Sequence, residues 1–112
     1  MLIRILVVAF VATLGQDALA QNPNEGDPER GRAIAYTCFG CHGIPEQNNV
    51  YPTYPVPKLG GQTHGYIVSA LKAYRAGHRA HATMRAQAST LSDQDMHDIA
   101  AYFVSRNEGD DT

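Results

Sequence analysis

The chain has 112 residues, 9 Lys and Arg against 11 Asp and Glu, a formal net charge of −2 and two cysteines. That length makes one small domain with a modest core, the kind that usually wants a covalent or cofactor staple. A near-neutral charge gives no reason to expect a nucleic-acid partner, which a surplus of Lys and Arg would announce.

Met1 to Arg4 carries one positive charge, residues 5–14 are mostly apolar, and Ala18-Leu19-Ala20 supplies an A-x-A site. This is the pattern of a secretory signal peptide over residues 1–20. The alternative is a retained anchor, but the apolar run is well short of the roughly 20 residues that span a bilayer. Cleavage after Ala20 leaves residues 21–112 as one domain in the periplasm with no membrane span. Arg4 and Asp17 leave together, so the charge stays at −2.

Residues 21–26 form a polar lead-in. Asp27-Pro28 reads as an N-cap followed by proline at the first helical position. A first helix over residues 28–36 is expected to bury Ala33 and Ile34 and to deliver Cys38.

Cys38-Phe39-Gly40-Cys41-His42 is a C-x-x-C-H sequence, the attachment motif of haem c. Two intervening residues let one helical turn present both sulfurs to the two haem vinyl groups, and His42 then falls under the iron as proximal ligand. Three other readings compete. A zinc site would have to draft His78, His81 or His64, and the His78/His81 spacing is tighter than in zinc fingers. A thioredoxin-like pair needs a βαβ pattern, which this chain lacks. A disulfide across a two-residue gap would restrain very little chain.

Residues 43–61 hold four prolines and three glycines, hence a loop, long enough to wrap a haem edge. A second helix over residues 63–76 follows. Its apolar positions Tyr66, Ile67, Ala70, Leu71 and Tyr74 share one face, and Gly77 sits where a glycine stop belongs. Residues 78–90, with weak periodicity, read as a connecting loop with at most a turn of helix. In the last helix Ser92-Asp93-Gln94-Asp95 matches a capping signature. Leu91 and Met96 are placed to form a hydrophobic staple, and Met96, Ile99, Ala100 and Phe103 follow at i, i+3, i+4, i+7. The first helix is its natural partner. Residues 107–112 are an acidic tail.

The sixth iron ligand has several candidates. Met96 already has a packing role on a buried helix face. Met84 lies 42 residues after His42, on a segment that could reach the opposite haem face. His/Met ligation raises the reduction potential. Met84 could instead fill a gap in the core, and His78 or His81 could give bis-His iron of lower potential. His97 faces outward as a surface residue. No acidic residue lies between Glu46 and Asp93, whereas Lys58, Lys72, Arg75, Arg79 and Arg85 do. That stretch is either a docking surface for an acidic redox partner or an ordinary solvated face that also counters haem propionates.

The chain resembles the small soluble class I c-type cytochromes of bacteria, most of all the monohaem single-domain relatives of dihaem cytochromes that serve respiratory oxidases. Cys38–Gly43 matches the family's C-x-x-C-H-G, and Pro57-Lys58-Leu59-Gly60-Gly61-Gln62 resembles its P-x-L-x-G-Q segment. Tyr66, Leu71, Tyr74, Gly77 and Arg79 match its Y…L…Y-x-x-G-x-R helix end. Met84, Leu91-Ser92-Asp93 and Ala100-Ala101-Tyr102-Phe103 resemble its axial-ligand loop and final helix. The loop over residues 44–54 departs from the family's glycine-rich stretch.

The resemblance implies an all-α cytochrome c fold, three main helices around one covalent haem c, with His42 and Met84 as axial ligands. It implies that the Pro57 carbonyl accepts from the proximal histidine, that Leu59 packs on the haem face and that Arg79 pairs with a propionate. The expected function is a periplasmic single-electron carrier between respiratory or dehydrogenase partners, not an enzyme. The alternatives are a haem subunit of a periplasmic oxidoreductase complex, or a haem enzyme or gas sensor with a labile methionine. Oligomeric state is not legible in the sequence.

Overall fold

The computed structural model describes residues 24–43, 46–48 and 53–106. The signal-peptide assignment, the acidic tail and parts of the 43–61 loop lie outside the described residues. Within them, helix formation starts at Asp27, whose carboxylate accepts from the N–H groups of Glu29 and Arg30 at 2.9 and 3.3 Å. Proline at the first position has no N–H to leave unsatisfied, and α1 runs over Pro28–Ile34. The chain then tightens into a 3-10 turn, Ala35–Thr37, a common way to end an α-helix.

The buried positions of this segment are Gly31 and Ala35, not the expected Ala33, which is exposed; Ile34 is half-buried. The cause is how closely α1 crosses the last helix. A Cβ at Gly31 would lie 1.9 Å from the Asp98 carbonyl oxygen. The contact therefore runs along the 31/35 stripe, and Ala33 is turned away.

A single helical turn, α2 (Phe39–His42), follows. Helix α3 (His64–Ala76) is capped by Thr63, whose hydroxyl oxygen accepts from the Tyr66 N–H at 3.2 Å. It stops at Gly77, which takes the left-handed conformation (φ 79°) and bonds back to the Ala73 and Tyr74 carbonyls. Only glycine does this without steric penalty. The buried stripe is Ile67, Val68, Leu71 and Tyr74. Tyr66, expected among them, is 49% exposed, because the stripe is centred one position later along the helix.

Residues 78–90 differ more from expectation. Ala82–Ser89 is a helix, α4. Its only large apolar side chain is Met84, so hydrophobic periodicity is nearly silent, and alanine's helix propensity carries the segment instead. Helix α5 (Asp93–Ser105) has the full capping box: the Asp95 N–H donates to Ser92 Oγ at 3.1 Å and the Ser92 N–H to Asp95 Oδ2 at 2.8 Å.

Helix α5 packs against both α1 and α3, and α3 also carries α4. The core joins Ile67, Val68, Leu71 and Tyr74 of α3 to Met96, Ile99, Ala100 and Phe103 of α5, with Ala35 and Ala88. Burial of a large apolar side chain is worth about 1.5–3 kcal/mol, so this seam dominates the fold. Phe39 extends it, meeting Tyr102 edge-on at 5.8 Å between ring centroids and Phe103 at 5.9 Å. Among the described residues there is no strand beyond one isolated bridge, Asn48 to Pro55, and no helix long and apolar enough to cross a membrane.

Asp98 is a buried carboxylate, 1% exposed, in the middle of this seam. It accepts from the Asp27 N–H at 2.7 Å, from Gln94 Nε2 at 2.8 Å and from the Arg30 guanidinium, tying the start of α1 to α5. Arg30 also reaches Asp95 at 2.6 Å. Burial pushes the Asp98 pKa up, but the hydrogen bonds from Asp27, Gln94 and Arg30 prevail and carry it below the ordinary 3.8. A folded-state pKa below the unfolded one gives stability that is present above the ordinary value and is lost as pH falls through the folded value. The thermal stability advantage of the parent over Asp98→Asn is therefore expected to be full above about pH 5 and to shrink in acid. An advantage of constant size from pH 7 to pH 3 would contradict this.

Candidate haem-binding site

Cys38 and Cys41 lie on one turn, closed by the Cys41 and His42 N–H groups donating to the Cys38 carbonyl at 3.2 and 2.8 Å. Cys38 is half-buried against the core and Cys41 is exposed. Burial pushes the Cys38 thiol pKa up, only partly offset by hydrogen bonding with Thr37.

His42 Nδ1 lies 2.7 Å from the Pro57 carbonyl oxygen. A carbonyl only accepts, so Nδ1 carries the proton and Nε2 presents its lone pair. The same bond fixes the ring's orientation and raises its basicity. Pro57 is held by a loop that closes on itself, the Val56 N–H donating to the Gln47 carbonyl at 2.7 Å and the Gln62 N–H to the Leu59 carbonyl at 3.2 Å. Leu59, half-buried, packs on the core, as does Met84.

Met84 is not on an irregular segment. It is the third residue of α4, with its N–H on His81 Nδ1 at 3.1 Å. Both nitrogens of His81 are engaged, since Nε2 bonds the Tyr54 hydroxyl, which removes it as a ready iron or zinc ligand. His64 Nε2 is 3.2 Å from the His97 carbonyl and the two rings stack at 5.2 Å. His97 is thus a half-buried packing residue rather than the outward-facing one expected. Among the described residues no group of three or more His, Cys, Asp or Glu is placed to hold a metal ion.

Arg79 lies 4.8 Å above the Tyr74 ring and its Nη1 reaches the Tyr66 hydroxyl at 3.4 Å. Two more of the five cations grouped from sequence also have an internal use. Arg75 Nη2 pairs with Asp93 Oδ1 at 2.6 Å and Lys72 Nζ with Asp93 Oδ2 at 3.5 Å, while Arg75 Nη1 also donates to the Leu91 carbonyl at 3.0 Å. Asp93 accordingly sits below the usual carboxylate range, first through Arg75 and then Lys72. Lys58 and Arg85 stay exposed.

The donor set fits haem c. It offers two thiols on one turn, an adjacent imidazole whose tautomer leaves Nε2 available, and a thioether in the first turn of α4. From sequence, Asp98, Tyr54 and the capping role of His81 were missed. The Gln94/Asp98 spacing of i, i+4 was a usable signal for the first. Histidine's rarity as a helix cap hid the last.

A model of the cytochrome c family matches residues 28–107. The chain is 39% identical over 101 residues to cytochrome c4 of Pseudomonas aeruginosa, a match covering 90% of this chain and 48% of that protein. It is 43% identical over 84 residues to cytochrome c-554(548) of Halomonas halodenitrificans, covering 72% of this chain and 98% of that one. It is 30% identical over 74 residues to the cytochrome subunit of sulfide dehydrogenase of Chlorobaculum tepidum, covering 66% and 64%. The chain spans about half the length of the cytochrome c4 proteins it matches.

Proposed function

Since the chain belongs to the cytochrome c family, with covalently held haem c as its cofactor, we propose that it is a periplasmic single-electron carrier. In this reading residues 1–20 are a signal peptide, Cys38 and Cys41 would carry the covalent links to the haem, and His42 Nε2 and the Met84 sulfur would hold its iron. When bound, haem c supplies a one-electron Fe(III)/Fe(II) couple.

The remaining chemistry belongs to the chain. Pro57 holds the His42 proton on Nδ1, so the ring keeps one orientation in both oxidation states. Leu59 and Phe39 contribute apolar surface that keeps water from the haem, and Arg79 offers charge to a propionate. Iron held by the His42 imidazole and the soft Met84 thioether would favour the ferrous state and a higher potential. The observation that carries the reading is the 2.7 Å contact between His42 Nδ1 and the Pro57 carbonyl. It gives the C-x-x-C-H histidine the tautomer a proximal ligand needs.

Docking on an acidic redox partner is assigned to the exposed Lys58 and Arg85, because Lys72 and Arg75 are already paired with Asp93. Reversing Lys58 and Arg85 to glutamate is expected to slow electron exchange with an acidic redox protein at low ionic strength far more than at high, because salt screens steering. Equal slowing at both would remove the docking role. Reduced holoprotein should also refuse carbon monoxide; rapid binding would point to a sensor or enzyme instead. The sulfide dehydrogenase relative favours one second reading, a cytochrome subunit of an oxidoreductase complex. Migration of the native protein with a larger partner on size exclusion would select it.

A further inference from the structure

The position of Met84 is fixed from outside its helix. Its peptide N–H donates to Nδ1 of His81, the N-cap of α4. Because Nδ1 accepts, the one proton of a neutral imidazole is on Nε2, and Nε2–H donates to the Tyr54 hydroxyl oxygen. The His81 ring is clamped edge-on by two tyrosines, Tyr54 at 5.4 Å and Tyr74 at 6.1 Å between centroids. Tyr54 stands three residues before Pro57, whose carbonyl orients His42. One short stretch, residues 54–57, thus reaches the group that orients each candidate iron ligand.

We propose that Tyr54 and His81 form a positioning pair that keeps Met84 on the iron and links it, through residues 54–57, to the proximal side. This rests on the reading of Met84 as axial ligand. The need for such a device follows from α4 itself. Eight residues make a helix that is marginal alone, and its first turn, where unpaired N–H groups begin to fray, is the turn that carries the sulfur. Tyr54 does more than pack. The Met84 N–H on Nδ1 requires the proton on Nε2, and the Tyr54 hydroxyl oxygen accepts it, so the ring is held at both nitrogens in the orientation the cap needs.

The test uses oxidised and reduced holoprotein with Tyr54→Phe, His81→Ala, His81→Asn and Met84→Ala. The readouts are the near-infrared band of sulfur-ligated ferric haem and the rate at which reduced protein binds carbon monoxide, which counts the fraction with Met84 detached. Loss of a cap of ordinary size is expected to raise that rate about fivefold in His81→Ala, with a smaller rise in Tyr54→Phe. His81→Asn should return it toward the parent value, because the amide oxygen can cap the same N–H. If His81→Ala does not fold, Tyr54→Phe, which removes one hydroxyl, decides. Parent-like band and carbon monoxide rates in Tyr54→Phe and in any folded His81→Ala, with only the melting temperature lowered, would overturn the proposal. Persistence of the band in Met84→Ala would instead show that the ligand reading beneath it is wrong.

Discussion

Replacing Cys38 and Cys41 together with alanine is expected to leave exported protein with no haem that survives denaturation and acid extraction. The two sulfurs sit on one closed turn, α2 and its N-cap, and they are the only cysteines in the sequence, so nothing else can form a thioether. The loss reaches the fold as well. Cys38, Phe39, Leu59 and Met84 are only partly buried against the core, and a large apolar group shared by them adds to what a small domain can bury. The double variant should be markedly less stable and more protease-sensitive than the parent. A single Cys41→Ala variant should keep one thioether and an intermediate stability. Haem retained through acid extraction in the double variant would contradict covalent attachment at these positions.

Met84→Ala is expected to erase the near-infrared band of sulfur-ligated ferric haem, to lower the reduction potential and to open the reduced iron to carbon monoxide. Met96→Leu should keep the band and cost less than about 1.5 kcal/mol, as volume-conserving core swaps do. The contrast comes from burial. Met96 is fully buried on α5 beside Ile99, with its thioether committed to packing. Met84 is half-buried at the start of α4, where its sulfur can face a ligand. Loss of the band in Met96→Leu with retention in Met84→Ala would reverse the assignment.

Much of this was legible in the sequence, and where it was not the reasons are specific. Proline after Asp27, Gly77 and the Ser92/Asp95 box are local signals, each acting through a backbone group within a few residues, and each appears in the structure. The 3.6-residue repeat located α3 and α5 but misplaced Tyr66 and Ala33. Periodicity finds a stripe without saying where its centre falls, and the close crossing at Gly31 set that centre for α1. Helix α4 escaped because an alanine-rich segment has little hydrophobic contrast to read. At the site, Cys38, Cys41 and His42 were readable because they are contiguous. Tyr54 and His81 were not, because their bond joins residues 27 apart. Asp98 was hidden for a related reason: its partners Asp27 and Arg30 come from the other end of the domain. Lys72 and Arg75 looked like surface charge until Asp93 was placed beside them.

The most direct test of the central claim is a peptide map of the denatured, alkylated holoprotein. Trypsin should release residues 33–58 as one peptide, which holds both cysteines and His42. Its mass should be increased by one haem, with neither thiol alkylated. Recovery of that peptide with both cysteines alkylated and no haem mass would contradict the account.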